Sequence, residues 1–111
     1  MKTDNLRGVI VPLITPVDGA DRVDEAAFRK VIRYVIEAGV HGVFAGGSAG
    51  EGPLLTMEEW IRMTEIASDE ANGKVQLLGG AIDTSTNRII GRIKLLQKRG
   101  YTNFVVTPTY Y

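Results

Sequence analysis

Val43-Phe44-Ala45-Gly46-Gly47-Ser48-Ala49-Gly50-Glu51-Gly52 is a short apolar run that ends in glycines and a small hydroxyl residue, and Thr56 then marks a helix start. Strand, Gly-rich turn and helix in that order form the outline of a βα unit with a small-anion site at its turn. Glycines let the backbone approach a ligand. Successive N–H groups form a concave nest, and a following helix adds its positive end. The same stretch also reads as a tight connector with no ligand. The turn lacks Gly-x-x-x-x-Gly-Lys-Ser/Thr, and it lacks Gly-x-Gly-x-x-Gly in register. Glu51 puts negative charge where a polyphosphate would lie. A small carboxylate, held by backbone N–H groups and the Ser48 hydroxyl, suits this turn better than a nucleotide does.

Outward from the turn, three more apolar runs resemble Val43-Phe44-Ala45: Val9-Ile10-Val11, Val75-Gln76-Leu77-Leu78 and Phe104-Val105-Val106. They are nearly continuous rather than alternating, as parallel strands covered on both faces require. A helical pattern separates each pair. Phe28, Val31, Ile32, Val35 and Ile36 form an amphipathic stripe that Asp24 caps and Gly39 follows. Thr56 and Glu59 read as a capping box for a second helix, with Trp60, Met63 and Ala67 on one side, running toward Asn72-Gly73. Ile89, Ile93 and Leu96 mark a third helix, capped by Thr84 or Ser85 and closed by Gly100. The order is β1-α1-β2-α2-β3-α3-β4, an α/β pattern with a parallel sheet. The unit length is near that of an ankyrin repeat, but the Thr-Pro-Leu-His signature is absent and ankyrin repeats hold no buried strands.

Composition narrows the function classes. The 111 residues carry 13 Lys plus Arg against 13 Asp plus Glu, a balance that argues for neither nucleic acid nor a membrane surface. With no cysteine and one histidine, His41, disulfides, thiolate nucleophiles and the usual two-histidine metal sites are excluded. No apolar stretch approaches the roughly 20 residues that span a bilayer. The N-terminus lacks the apolar core of a signal peptide, so the cytoplasm is the expected compartment. Residues 1–6 read as a flexible N-terminal tail, and 1–111 as a single unit. Four parallel strands with three helices are the N-terminal half of a (β/α)8 TIM barrel, which takes about 250 residues. Such a half leaves two strand edges open, and it is expected to need a second copy or a complementing C-terminal half.

At this point the residues carry a family pattern. Gly8-Val9-Ile10-Val11-Pro12-Leu13-Ile14-Thr15-Pro16 resembles the first strand of the dihydrodipicolinate synthase/N-acetylneuraminate lyase family. Gly47-Ser48-Ala49-Gly50-Glu51 stands where that family has Gly-Thr-Thr-Gly-Glu or Gly-Ser-Thr-Gly-Glu, its carboxylate loop after β2. Val106-Thr107-Pro108-Thr109-Tyr110-Tyr111 is similar to its strand-four ending. The three motifs lie in order and cover the N-terminal half of a member.

The resemblance implies a (β/α)8 lyase or aldolase that binds pyruvate or a related 2-oxo acid through a lysine Schiff base, with no cofactor. It implies that Ser48 contacts the substrate carboxylate and joins a proton relay with Tyr110, and that Gly47, Ala49 and Tyr111 also line the substrate. Ala49 stands where the family usually has a second hydroxyl, a departure that argues against a standard dihydrodipicolinate synthase. The Pro-x-Tyr-Tyr form is nearer to the neuraminate lyase and sugar-acid aldolase branches. In the family the Schiff-base lysine lies on β6 and the main catalytic tyrosine on β5, both past residue 111. Lys2, Lys30, Lys74, Lys94 and Lys98 are all misplaced for that task, on helices, in the tail or at the wrong end of β3.

Other residues have plainer readings. His41, at the amino end of β2, reads as structural. Trp60 reads as packing, and Glu51 as a loop-orienting residue. Asp83 and Thr84 follow β3 and serve as pocket or cap equally well, while Asp18 and Asp21 flank an ordinary turn at Gly19. Three functions compete: the half of a Schiff-base lyase, an inactive truncated or engineered half-barrel that self-associates, and a flavodoxin-like phosphate binder. The absent phosphate-loop signatures disfavour the last.

Overall fold

The computed structural model describes residues 6–108, so most of the expected flexible tail lies outside the described residues, as do Tyr110 and Tyr111. Within that range the chain forms β1 (Ile10–Pro12), α1 (Glu25–Glu37), β2 (Gly42–Ala45), α2 (Met57–Ala71), β3 (Gln76–Gly80), α3 (Thr86–Lys98) and β4 (Asn103–Val105). The strands make one sheet in the order β1-β2-β3-β4. Every pairing is parallel: Val11 lies beside Val43, Val43 beside Leu77, and Gly79 beside Phe104. Each strand therefore neighbours the next in sequence, with a helix in each crossover.

Local chemistry starts each helix where the sequence marks it. The Asp24 carboxylate accepts from the Ala27 N–H at 3.1 Å, the Thr56 hydroxyl from the Glu59 N–H at 3.2 Å, and Ser85, rather than Thr84, from the Arg88 N–H at 3.2 Å. Each supplies an acceptor to an orphan donor of the first turn. Gly39 and Gly100 close α1 and α3 in the left-handed region, at φ +89° and +86°. The Thr56–Glu59 box is only half formed: the Glu59 carboxylate accepts from the Val23 N–H at 2.7 Å instead of turning back to Thr56.

One core lies between sheet and helices. Val43, Ala45 and Leu77 from the strands meet Phe28 and Ile32 of α1, Trp60, Met63 and Ala67 of α2, and Leu96 of α3. Trp60 is thus a packing residue, as its helical spacing indicates. Tyr101 is buried beside them, and its hydroxyl donates to the Thr64 carbonyl at 2.8 Å. Burial pushes the Tyr101 phenol above its ordinary pKa. The helices are also tied to one another: Glu70 on α2 accepts from Arg29 at 3.0 Å and from Arg33 at 2.7 Å, both on α1.

The amino ends of the strands hold a separate network. His41 Nδ1 accepts from the Val9 N–H at 2.9 Å. Gln76 accepts from the Arg7 N–H at 3.0 Å and donates to the Arg7 carbonyl at 2.9 Å. His41 is therefore structural, joining the entry of β1 to that of β2. Val9 and Ile14, on either side of β1, and Val106, just after β4, are exposed on the two edge segments of the sheet. Among the described residues, no helix is long and apolar enough to cross a membrane.

Candidate carboxylate-binding loop

The loop begins with a backbone fold that only glycines permit. Gly46 leaves β2 at φ +78°. Its carbonyl oxygen is wedged between two other glycines: a Cβ on Gly52 would lie 2.2 Å from it, and a Cβ on Gly80 2.3 Å. Gly47 is equally confined, since a Cβ there would meet the Phe44 ring at 2.6 Å. The glycines of this stretch thus serve a close approach of loop to β3 as well as any ligand.

The turn itself is closed by two backbone bonds. The Glu51 N–H donates to the Ser48 carbonyl at 3.0 Å, and the Gly52 N–H to the Gly47 carbonyl at 3.1 Å. Glu51 adopts φ +54°, an uncommon conformation for a residue with a side chain. Ser48 and Ala49 stand exposed at the tip, while Gly47 and Gly50 are buried beneath them. Among the described residues, the N–H groups of Ser48, Ala49 and Gly50 donate to no backbone carbonyl. Three successive free donors on a rigid turn, beside an exposed hydroxyl, are what a small anion needs. Sequence reading also expects the positive end of a helix here. The structure corrects this: a single 3-10 turn, Gly52–Leu54, follows the loop, and α2 begins only at Met57. The dipole effect falls off within the first turn, so the loop N–H groups carry the task themselves.

Neighbouring loops supply what the motif alone does not reveal. Thr15, just after β1, is 6% exposed, and its hydroxyl has no hydrogen-bond partner among the described residues. It packs on the loop, 3.1 Å from where a Cβ on Gly50 would sit. Thr15, Val17, Asp21, Glu51, Leu54, Leu55 and Thr56 line a cleft of about 290 Å³ beside the loop. Nothing in the local sequence distinguishes Thr15 from an ordinary strand-end residue; only its contact with Gly50 does. Asp18 and Asp21 form the expected turn: the Asp18 carboxylate accepts from the Ala20 and Arg22 N–H groups at 2.8 and 3.1 Å.

After β3, Asp83 is committed to ion pairs, with Arg88 at 2.9 Å and Arg92 at 3.0 Å. Burial works against its charge, but the Thr84 N–H and the two guanidinium groups outweigh burial and hold its carboxyl at about 2. Asp83 is thus neither a free pocket acid nor a helix cap. Glu51 makes no side-chain hydrogen bond among the described residues. Lys30, Lys74, Lys94 and Lys98 are all exposed, so none is a desolvated amine. No group of three His, Cys, Asp or Glu side chains suited to a metal ion occurs among the described residues.

Comparison with known proteins places this architecture. The model of the dihydrodipicolinate synthetase family matches residues 5–111. A 4-hydroxy-tetrahydrodipicolinate synthase of Methylobacterium radiotolerans is 41% identical over 112 residues, a match that covers all of this chain and 37% of that protein. An N-acetylneuraminate lyase of Escherichia fergusonii is 33% identical over 110 residues, covering 96% of this chain and 36% of its own length. The crystal structure of Fusobacterium nucleatum N-acetylneuraminate lyase complexed with pyruvate superposes with a TM-score of 0.89 at 31% identity, over 99% of this chain and 38% of that one. The chain therefore spans little more than a third of the proteins it matches, and its four strands and three helices correspond to the N-terminal part of their TIM barrels. By its matching residues and by its fold, the chain belongs to the dihydrodipicolinate synthetase family.

Proposed function

We propose that this chain is the N-terminal half of a class I, Schiff-base lyase or aldolase that acts on pyruvate or a related 2-oxo acid in the cytoplasm. The observation that carries this reading is the set of free N–H groups at Ser48, Ala49 and Gly50 on a loop locked by Gly46, Gly52 and Gly80. The Ser48 hydroxyl and the Ser48 and Ala49 N–H groups hold the substrate carboxylate, with Gly47 beneath. That contact turns the 2-oxo carbon toward an amine. Attack of a neutral lysine on that carbon, with loss of water, forms the Schiff base. The exposure of Lys30, Lys74, Lys94 and Lys98 supports a nucleophile outside residues 1–111. Tyr110 carries the relay proton and Tyr111 lies beside the substrate, both by family resemblance. Ala49 removes one side-chain donor, which argues against a standard dihydrodipicolinate synthase, and the Pro-x-Tyr-Tyr form resembles the neuraminate lyase and sugar-acid aldolase branches.

Borohydride reduction in the presence of pyruvate, followed by mass spectrometry, tests the assignment. The 111-residue chain alone gives no adduct; with a complementing C-terminal half, an adduct forms on a lysine of that half. A stoichiometric adduct on any lysine of residues 1–111 would refute it. The apolar residues exposed at both sheet edges, Val9, Ile14 and Val106, favour a second reading: a catalytically inactive half-barrel that self-associates. That reading requires an isolated oligomer that no C-terminal half converts into a pyruvate-binding species.

A further inference from the structure

Trp60 backs the carboxylate loop at its root. Its indole nitrogen lies 3.6 Å from where a Cβ on Gly46 would sit, and Trp60 is 1% exposed. The indole therefore borders the space beside Gly46, together with the Met63 methyl, which lies 3.0 Å from the same point. The Arg92 guanidinium stacks over the same indole, 4.8 Å from the ring centroid, within cation–π range. Arg92 is itself 7% exposed. Its Nε donates to Asp83 at 3.0 Å, and its Nη1 is buried with no acceptor among the described residues. Packing alone does not call for a buried cation with an unmet donor, since an apolar side chain of similar volume carries no desolvation cost. Asp83 in turn belongs to the loop after β3, where Thr84 and Arg88 hold it. Asp83, Arg92 and Trp60 thus form a continuous line of contacts from the β3–α3 loop to the space beside Gly46, at the root of the loop after β2.

We infer that Arg92 is a positioning residue for the carboxylate site: through Trp60 it holds the Gly46 peptide, and with it the Ser48 and Ala49 N–H groups, in the arrangement that accepts a 2-oxo acid. Arg92 touches no substrate, and the inference rests on the carboxylate reading of the loop.

The test is pyruvate affinity, measured by calorimetry on the chain complemented with a C-terminal half, well below its unfolding temperature. Arg92→Met keeps the apolar stem over the indole and removes the charge; binding weakens about two- to thirtyfold, the range found for residues that couple indirectly to a site. Arg92→Lys, which restores a cation over the ring, recovers most of that loss. Trp60 emission shifts in Arg92→Met and returns toward the parent in Arg92→Lys. Glu70→Gln breaks the ion pairs between α1 and α2, lowers Tm, and leaves affinity within about twofold of the parent. Parent-like affinity in Arg92→Met, or an equal loss in Glu70→Gln, overturns the inference. Should Arg92→Met fail to fold, Arg92→Gln, which removes the charge but keeps a donor for Asp83, takes its place, and parent-like affinity there overturns it equally. Ser48→Ala separates the two levels. If Ser48→Ala loses affinity and the Arg92 variants do not, only the positioning role fails. If Ser48→Ala binds like the parent, or the parent binds no pyruvate, the carboxylate reading fails and the positioning role with it.

Discussion

Glu59 and Val23 are joined by a buried hydrogen bond: the Glu59 carboxylate accepts from the Val23 N–H at 2.7 Å. Arg62 completes the clamp, donating to the Val23 carbonyl at 3.1 Å and to Glu59 at 3.0 Å. The first turn of α2 therefore holds the end of the loop that follows β1, and the cleft lined by Thr15, Asp21, Glu51 and Thr56 lies beside these two segments. The Val23 N–H holds the Glu59 carboxyl below its ordinary pKa. Glu59→Gln is expected to lower Tm by several degrees, because a buried amide N–H loses a charged acceptor. Glu65→Gln, on the exposed face of the same helix, is the matched control and changes Tm little. Equal effects of the two, by calorimetric melting, would mean that the Glu59–Val23 bond holds nothing.

Gly80→Ala tests the close approach of β3 to the loop. The new Cβ would meet the Gly46 carbonyl at 2.3 Å, and backbone on both sides leaves no flexible side chain to give way. A destabilisation of about 1–3 kcal/mol is expected from such overpacking, together with loss of pyruvate binding. Gly91→Ala, on the exposed face of α3 with nothing within 4 Å, is expected to stabilise by about 0.5–1 kcal/mol. Chemical denaturation of both variants checks the pair; a tolerated Gly80→Ala contradicts the packing described for Gly46.

Acid should loosen the fold in a defined window. Asp83 is held at about 2, below the ordinary 3.8 of an aspartate. Hydrogen bonds from Arg33 and then Arg29 hold Glu70 below its ordinary value. A carboxyl whose folded pKa is depressed contributes stability that is present above its unfolded pKa and is lost as pH falls through the folded one. Stability is therefore expected to be flat down to about pH 5 and to fall between about pH 4 and pH 2. Asp83→Asn should shallow that fall at its lower end. A transition with the same pH dependence in the Asn variant would remove Asp83 from the account of acid stability.

The parts of the fold set by local chemistry are legible in the sequence. Continuous apolar runs mark the strands, and Asp24, Thr56 and Ser85 mark the helix starts. The edges of the strands are less legible, because pairing decides them. The β1 ladder covers Ile10–Pro12 rather than Val9–Val11, since Val9 spends its carbonyl on the His41 N–H and its own N–H on the His41 ring. Pro12 is admitted because β1 pairs only with β2 on one side. β4 shifts likewise, to Asn103–Val105. In the site, the glycines and Ser48 announce themselves by composition. Thr15, Gly80 and Arg92 do not, because each acquires its meaning from a contact with a residue distant in the chain. The Thr56–Glu59 box misleads for the same reason: a stronger partner, Val23, lies far away in sequence and close in space.

The most direct measurement is a calorimetric titration of pyruvate into the chain complemented with a C-terminal half, and into the same complex carrying Ser48→Ala. If the loop from Gly46 to Gly52 holds the substrate carboxylate, the parent binds and Ser48→Ala binds roughly ten- to a hundredfold more weakly, the effect of one lost charge-assisted hydrogen bond of about 1.5–3 kcal/mol. Ala49→Thr, which restores a second hydroxyl, binds at least as well as the parent. Unchanged affinity in Ser48→Ala would show that the loop is only a connector between β2 and α2, and the proposed function would fall with it.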